Sequence, residues 1–139
     1  MMSLKFLITP NLPTPYDRRM MSGLGEGLRQ LSHEVQVMTA PVDSLELRKI
    51  CIDSGVDIVI QVNRTRDPDV PLPRGVRLVS WYQDVFPETL KGFAETFETD
   101  DILYALGDAK VLGLDVDLPC HVGSLVSGVD NRVLNYAPR

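Results

Sequence analysis

A chain of 139 residues, 44% hydrophobic and 24% charged, has the composition of one globular domain, not of a disordered tail, a collagen-like repeat or a coiled coil. Folding at this length removes roughly 70% of the unfolded surface from water, so no metal or disulfide staple is required. A formal charge of −5 argues against non-specific nucleic-acid binding, which needs a basic face.

Cys51 and Cys120 are the only cysteines, too few for a disulfide framework or a zinc site. Cys51 lies among apolar residues and reads as a small buried hydrophobe. The N-terminal stretch has too short an apolar run for a secretory signal, broken by Lys5 and ended by Pro10. No run approaches the ~18 apolar residues of a membrane span. The expectation is a soluble, cytoplasmic protein with no transmembrane segment, in which the Asn63-Arg64-Thr65 glycosylation pattern is coincidental.

In chain order, Leu4–Thr9 reads as a first strand. Arg18–Leu31 sets Met20, Met21, Leu24, Leu28 and Leu31 on one face of a helix. Glu34–Thr39 alternates as a second strand. Ser44 is placed as the N-cap of a second helix with Leu47, Ile50 and Cys51 inward, ended by Gly55 in a left-handed cap. Asp57–Val62 is a third strand, residues 67–75 a Pro/Gly loop, and Val76–Trp81 a fourth strand. Pro87 suits the first turn of a helix carrying Leu90, Phe93 and Phe97. Asp101–Ala105 is a fifth strand, and Val111–Leu114 and Cys120–Leu125 are weaker strand candidates.

Alternation of Ile/Val-rich strands with helices implies an α/β, Rossmann-like three-layer domain, with a mostly parallel sheet and helices on both faces. Right-handed crossovers bring every strand's C-terminal end to one edge, where such folds bind ligands. That edge would carry Pro10–Asp17, Asn63–Asp67, Gln83–Val85 and Gly107–Asp108.

Several motifs bear on this edge. Gly23-Leu-Gly25-Glu-Gly27 has neither the spacing nor the position of a dinucleotide fingerprint and reads as close packing of the helix. Strand one lacks the carboxylates of a phosphorylated receiver domain, and no G-x-S-x-G elbow is present. His33 reads as a structural turn residue, while His121 has no assigned role. The loop Pro10-Asn11-Leu-Pro-Thr-Pro-Tyr16-Asp17 is stiffened by proline and offers Asn11, Tyr16 and Asp17 to polar hydroxyls. Asn63, Arg64 and Arg66 suit an anionic or polyhydroxyl group, or else a solvated turn with an Arg–Asp67 ion pair. Trp81-Tyr82-Gln83-Asp84 offers aromatic faces beside an amide and a carboxylate, the composition of a sugar platform. Asp84 has two readings, a substrate contact or base, and a cap for the helix near Pro87. Asp84, Glu88, Glu95, Glu98, Asp100 and Asp101 stand against Lys91 alone, as a solvated helix face or a docking surface for a basic partner.

These pieces resemble the N-terminal domain of a GT-B glycosyltransferase of the family-four or spore-maturation type. Leu28-Arg-Gln-Leu31-Ser32-His33-Glu34-Val35-Gln-Val37 is similar to that family's "L…L…GHEV.V", with Ser32 in place of the glycine. Trp81-Tyr82-Gln83-Asp84 resembles a strand end that often reads His-Asp, with Gln83 where the histidine would stand. Ser127-Gly128-Val129-Asp130 with Pro138 is similar to the "GVD…P" segment leading into the second domain. A Gly-Gly pair common after strand one is replaced by Pro-Thr-Pro-Tyr.

The resemblance implies that residues 1–139 form an acceptor-binding domain, inactive alone, which pairs with a C-terminal donor domain. Asp84 would be the base or hydroxyl-orienting group. Asn11, Tyr16, Asp17, Asn63, Arg64, Tyr82 and Gln83 would bind a sugar or other hydroxyl acceptor, and Gly128 and Asp130 would lie at the linker or donor side. It implies no metal and no cofactor in this chain, with a nucleotide sugar supplied by the second domain. Exposure of the face meant for that domain would favour a homodimer. The competing reading is a non-catalytic Rossmann-like module for a polar ligand or protein partner.

Overall fold

The computed structural model describes residues 2–83, 93–107 and 118–125. Within them the order is β1 (Lys5–Thr9), α1 (Pro15–Gln30), β2 (Glu34–Val37), α2 (Ser44–Ser54), β3 (Ile58–Val62), β4 (Arg77–Tyr82), a short 3-10 turn (Phe93–Thr96), β5 (Ile102–Ala105) and β6 (His121–Ser124). All six strands are parallel, in the order β2-β1-β3-β4-β5-β6. The α/β, Rossmann-like architecture expected from the sequence is therefore present. The Val111–Leu114 strand, Leu90 and the Pro87 helix start lie outside the described residues, and only the backbone is described at Phe93.

Strand alternation divides the core into two layers. Phe6, Ile8, Ile60, Val62 and Trp81 point to one face and pack with Met21 of α1. Leu7, Val59 and Leu78 point to the other and pack with Leu47 and Cys51 of α2. Cys51 is buried as expected, and burial pushes its thiol up to about 11, an inert form at neutral pH. A third cluster joins Tyr82, Phe97, Leu103 and Ala105.

The helix ends differ from the expected ones by local chemistry. Helix α1 begins at Pro15, so Tyr16 and Asp17 belong to its first turn instead of a loop. Thr14 is the N-cap, its hydroxyl accepting from the Asp17 amide at 3.2 Å, and Pro15 takes the position where a missing N–H costs nothing. The N-cap of α2 is Asp43, whose Oδ1 accepts from the Glu46 amide at 2.8 Å, and Ser44 is the first helical residue. Gly55 closes α2 at φ 63°, as its position predicts.

Helix α1 ends in a Schellman turn: the His33 amide donates to the Leu28 carbonyl and the Ser32 amide to that of Arg29. Ser32 sits at φ 72°, the left-handed region that favours glycine. His33 is structural, as expected: its Nδ1 accepts from the Leu4 amide at 3.1 Å and its ring meets Phe6 edge-on. The glycine run also proves to be packing at one position. A Cβ on Gly25 would stand 2.6 Å from Val37 Cγ2 and 3.3 Å from Val35 Cγ1, so Gly25 lets α1 lie on β2.

Candidate functional site

The strand order places a topological switch point between β1 and β3. From β1 the chain leaves toward β2, and from β3 toward β4, so the two connections part at the strands' C-terminal ends, the place where such sheets form a crevice. The crevice is bordered by residues 10–14 and by the segment from Asn63 onward.

On the α1 side, Asn11 is half-buried while Leu12 and Tyr16 are 51% and 63% exposed. Asp17 is buried, and its Oδ2 accepts from the Leu12 amide at 2.9 Å, which holds the proline-stiffened loop against the helix start. Asn63 follows β3 at φ 57°, a conformation that asparagine tolerates. Its amide donates to the Trp81 carbonyl at 2.9 Å and its Oδ1 accepts from the Gln83 amide at 2.7 Å. These bonds tie the ends of β3 and β4 together and bring Asn63 and Gln83 into contact. The Gln83 carboxamide then reaches Met20 on α1, at 3.3 Å from its sulfur.

The aromatic platform expected at 81–82 is core instead. Trp81 is 3% and Tyr82 5% exposed. Trp81 packs in the α1 layer and donates from Nε1 to the Leu125 carbonyl at 3.0 Å. Tyr82 packs with Phe97 and Leu103, and burial pushes its hydroxyl up to about 12. Adjacent residues of a strand face opposite sides of the sheet, so these two rings cannot form one stacking surface. Asp84, Gly128 and Asp130 lie outside the described residues.

On the α2 side, the β3–β4 connection runs without a helix and is tethered along its length. The Arg64 guanidinium donates to the Val42 carbonyl at 2.9 Å, and the Arg64 carbonyl accepts from Ser80 Oγ at 2.7 Å. Arg48 of α2 donates to the Pro71 carbonyl. The ion pair expected between an arginine and Asp67 is replaced by a longer-range one. Arg66 Nε and Nη2 meet the two oxygens of Asp101 at 2.7 and 2.6 Å, with Glu98 at 3.7 Å. Asp101, expected on an acidic solvated face, is 1% exposed. Burial alone would raise its pKa. Hydrogen bonds from Arg66 and from the Glu98 and Leu78 amides outweigh that and hold the carboxyl below its ordinary value. The Asp67 carboxyl is also held low, first by the Asp69 amide and then by the Ser44 hydroxyl.

No family model, curated protein or solved structure matches the chain. Function therefore rests on the site itself. No described helix is long and apolar enough to cross a membrane, and among the described residues no His/Cys/Asp/Glu group could hold a metal ion.

Three polar residues escape a reading that looks only at loops. Thr9, Gln61 and Ser80 stand at one register level on β1, β3 and β4, all buried on the α2 side. The signal was available: each follows an apolar residue two positions earlier on the same face, Leu7, Val59 and Leu78.

Proposed function

We propose that this chain is the acceptor-binding domain of a cytoplasmic GT-B-type glycosyltransferase. One observation carries the reading. The β1/β3 switch point puts the connection that carries Asn11 and the hydrogen-bonded pair Asn63 and Gln83 at the edge where doubly wound sheets take ligands, with Tyr16 in the first turn of α1. The segment 28–37 adds support, because Ser32 adopts the backbone conformation for which the family's glycine is suited.

In this reading the domain orients an acceptor hydroxyl toward a sugar held by a second domain. The hydroxyl oxygen bonds to the anomeric carbon as the nucleotide leaves with the bonding pair, and Asp84 takes the hydroxyl proton. Alignment of the reactants supplies on the order of 7–11 kcal/mol at best. Asp17 serves by fixing the loop that carries Asn11.

The test is a donor-hydrolysis and acceptor screen on the longest gene product containing this chain. Turnover that falls upon Asp84→Ala with the fold intact supports the proposal; turnover indifferent to that change removes Asp84. One observation favours a non-catalytic polar-ligand module instead. Asp17, Asn63 and Arg64 already bind the chain's own backbone. Ligand binding without turnover in the same screen would decide for the module.

A further inference from the structure

The polar row on the α2 side calls for a reason. Directly below it in the same strands lie Leu7, Val59 and Leu78, a continuous apolar layer. Replacing the next layer by Thr9, Gln61 and Ser80 is unfavourable, since a buried polar group without a partner costs about 1–3 kcal/mol. Ser80 is satisfied by the Arg64 carbonyl. Gln61 is 4% exposed, and its carboxamide has no hydrogen-bond partner among the described residues. Among the described residues no fully enclosed side-chain nitrogen or oxygen is left unpartnered, and Gln61 borders a cavity.

That cavity has a volume of about 40 Å³, and Gln61 lines it together with Ser44, Arg64, Thr65 and Asp67. At roughly 10–15 Å³ for each water-sized group, it has room for about three or four such groups. The lining mixes donors and acceptors. Arg64 only donates; one of its N–H groups is used on Val42, and no carboxylate stands in ion-pair range among the described residues. Asp67 only accepts, and its lowered pKa keeps it ionised. Gln61 and Thr65 do both, while the Ser44 hydroxyl donates to Asp67 and keeps only its acceptor side. An anion would meet Asp67. A cation would meet Arg64. Two hydroxyls on adjacent carbons donate and accept at once, are neutral, and match the space.

We propose that this cavity is a binding site for a vicinal diol of a polyhydroxylated ligand, held by Gln61, Arg64 and Asp67. It lies across the sheet from Tyr16 and the Gln83 carboxamide, and it stands whether or not the chain transfers a sugar.

The test uses the isotopically labelled 139-residue chain and nuclear magnetic resonance, with cis-1,2-cyclohexanediol as probe and cyclohexanol and inorganic phosphate as controls. The expected result is saturable shifts of the Gln61 side-chain amide and of the Ser44 and Thr65 backbone amides with the diol alone. Gln61→Leu should weaken that binding roughly tenfold, the loss of one hydrogen-bonding group. Should Gln61→Leu not fold, Arg64→Lys keeps the charge, loses the planar fork and should weaken binding similarly. Tyr16→Ala should leave it unchanged. Saturation by phosphate instead of the diol, equal response to cyclohexanol, or a Gln61 amide that never saturates would each overturn the proposal. None of these outcomes bears on turnover in the donor and acceptor screen, which tests the transferase reading separately.

Discussion

Replacing Asp101 by Asn tests the tether that holds the β3–β4 connection against the sheet. The carboxylate accepts from Arg66 Nε at 2.7 Å and Nη2 at 2.6 Å, from the Leu78 amide at 3.0 Å and from the Glu98 amide at 2.9 Å. Asparagine has one acceptor oxygen and turns an NH2 group toward donors. The Arg66 side chain, only 13% exposed, keeps Glu98 at 3.7 Å as its remaining carboxylate, and that side chain is 69% exposed. Removing one partner of a buried pair costs about 3–5 kcal/mol, because the other charge stays buried. A domain of this size has about 5–15 kcal/mol in total. At a slope of roughly 2 kcal/mol per molar urea, the midpoint should fall by roughly 1.5–2.5 M.

The assay is urea unfolding followed by fluorescence of Trp81, the only tryptophan and a core residue. A loss below about 1 kcal/mol at pH 7 would refute the reasoning, since it is the contribution of a solvent-relaxed surface pair. The pH dependence gives a second check. The folded pKa of Asp101 is depressed, so its stabilisation is fully present above the unfolded value near 3.9 and is lost as pH falls through the lower folded value. The wild type should therefore lose stability in acid below about pH 4, and Asp101→Asn should lack that component.

Paired changes on α1 should have opposite signs in the same assay. Gly25→Ala drives a Cβ into Val37 and should destabilise by about 1–3 kcal/mol, whereas Gly27→Ala, with nothing within 4 Å, should stabilise by about 0.5–1 kcal/mol. Equal effects would refute the packing role of Gly25. Ser32→Gly relieves the left-handed strain at φ 72° against the added freedom of the unfolded glycine, for a net gain of about 0.5–1 kcal/mol in melting or urea experiments. Asn63→Ala loses both a tolerated left-handed residue and the acceptor for the Gln83 amide, and should cost roughly 2–3 kcal/mol. Asn63→Gly should cost about 1 kcal/mol, and amide exchange at Gln83 should quicken in both.

The fold was legible because its determinants are local or periodic. The strands are short runs rich in branched residues that alternate between two buried layers, and Gly55 marks a helix end that needs φ > 0. The α1 start was legible as well. Thr14-Pro15-Tyr16-Asp17 has an N-cap, a first-turn proline and an acid three residues on, but the density of prolines suggested a loop. At α2, Asp43 and Ser44 are both good caps, and only geometry chooses between neighbours.

The site was legible as a place and not as a set of partners. Topology alone assigns Asn63, Arg64 and Gln83 to one edge, but it does not say that Arg66 reaches 35 positions along the chain to Asp101, because such a pair leaves no periodic trace. Trp81 and Tyr82 teach the converse. Their chemistry suggests a sugar platform, yet neighbouring positions on a strand cannot share a face, so alternation outranks composition. The same rule points away from the aromatics toward Gln61. A polar residue on the buried face of a central strand, two positions beyond Val59, is unfavourable for the core, and the cavity beside it has room for a group that satisfies its carboxamide.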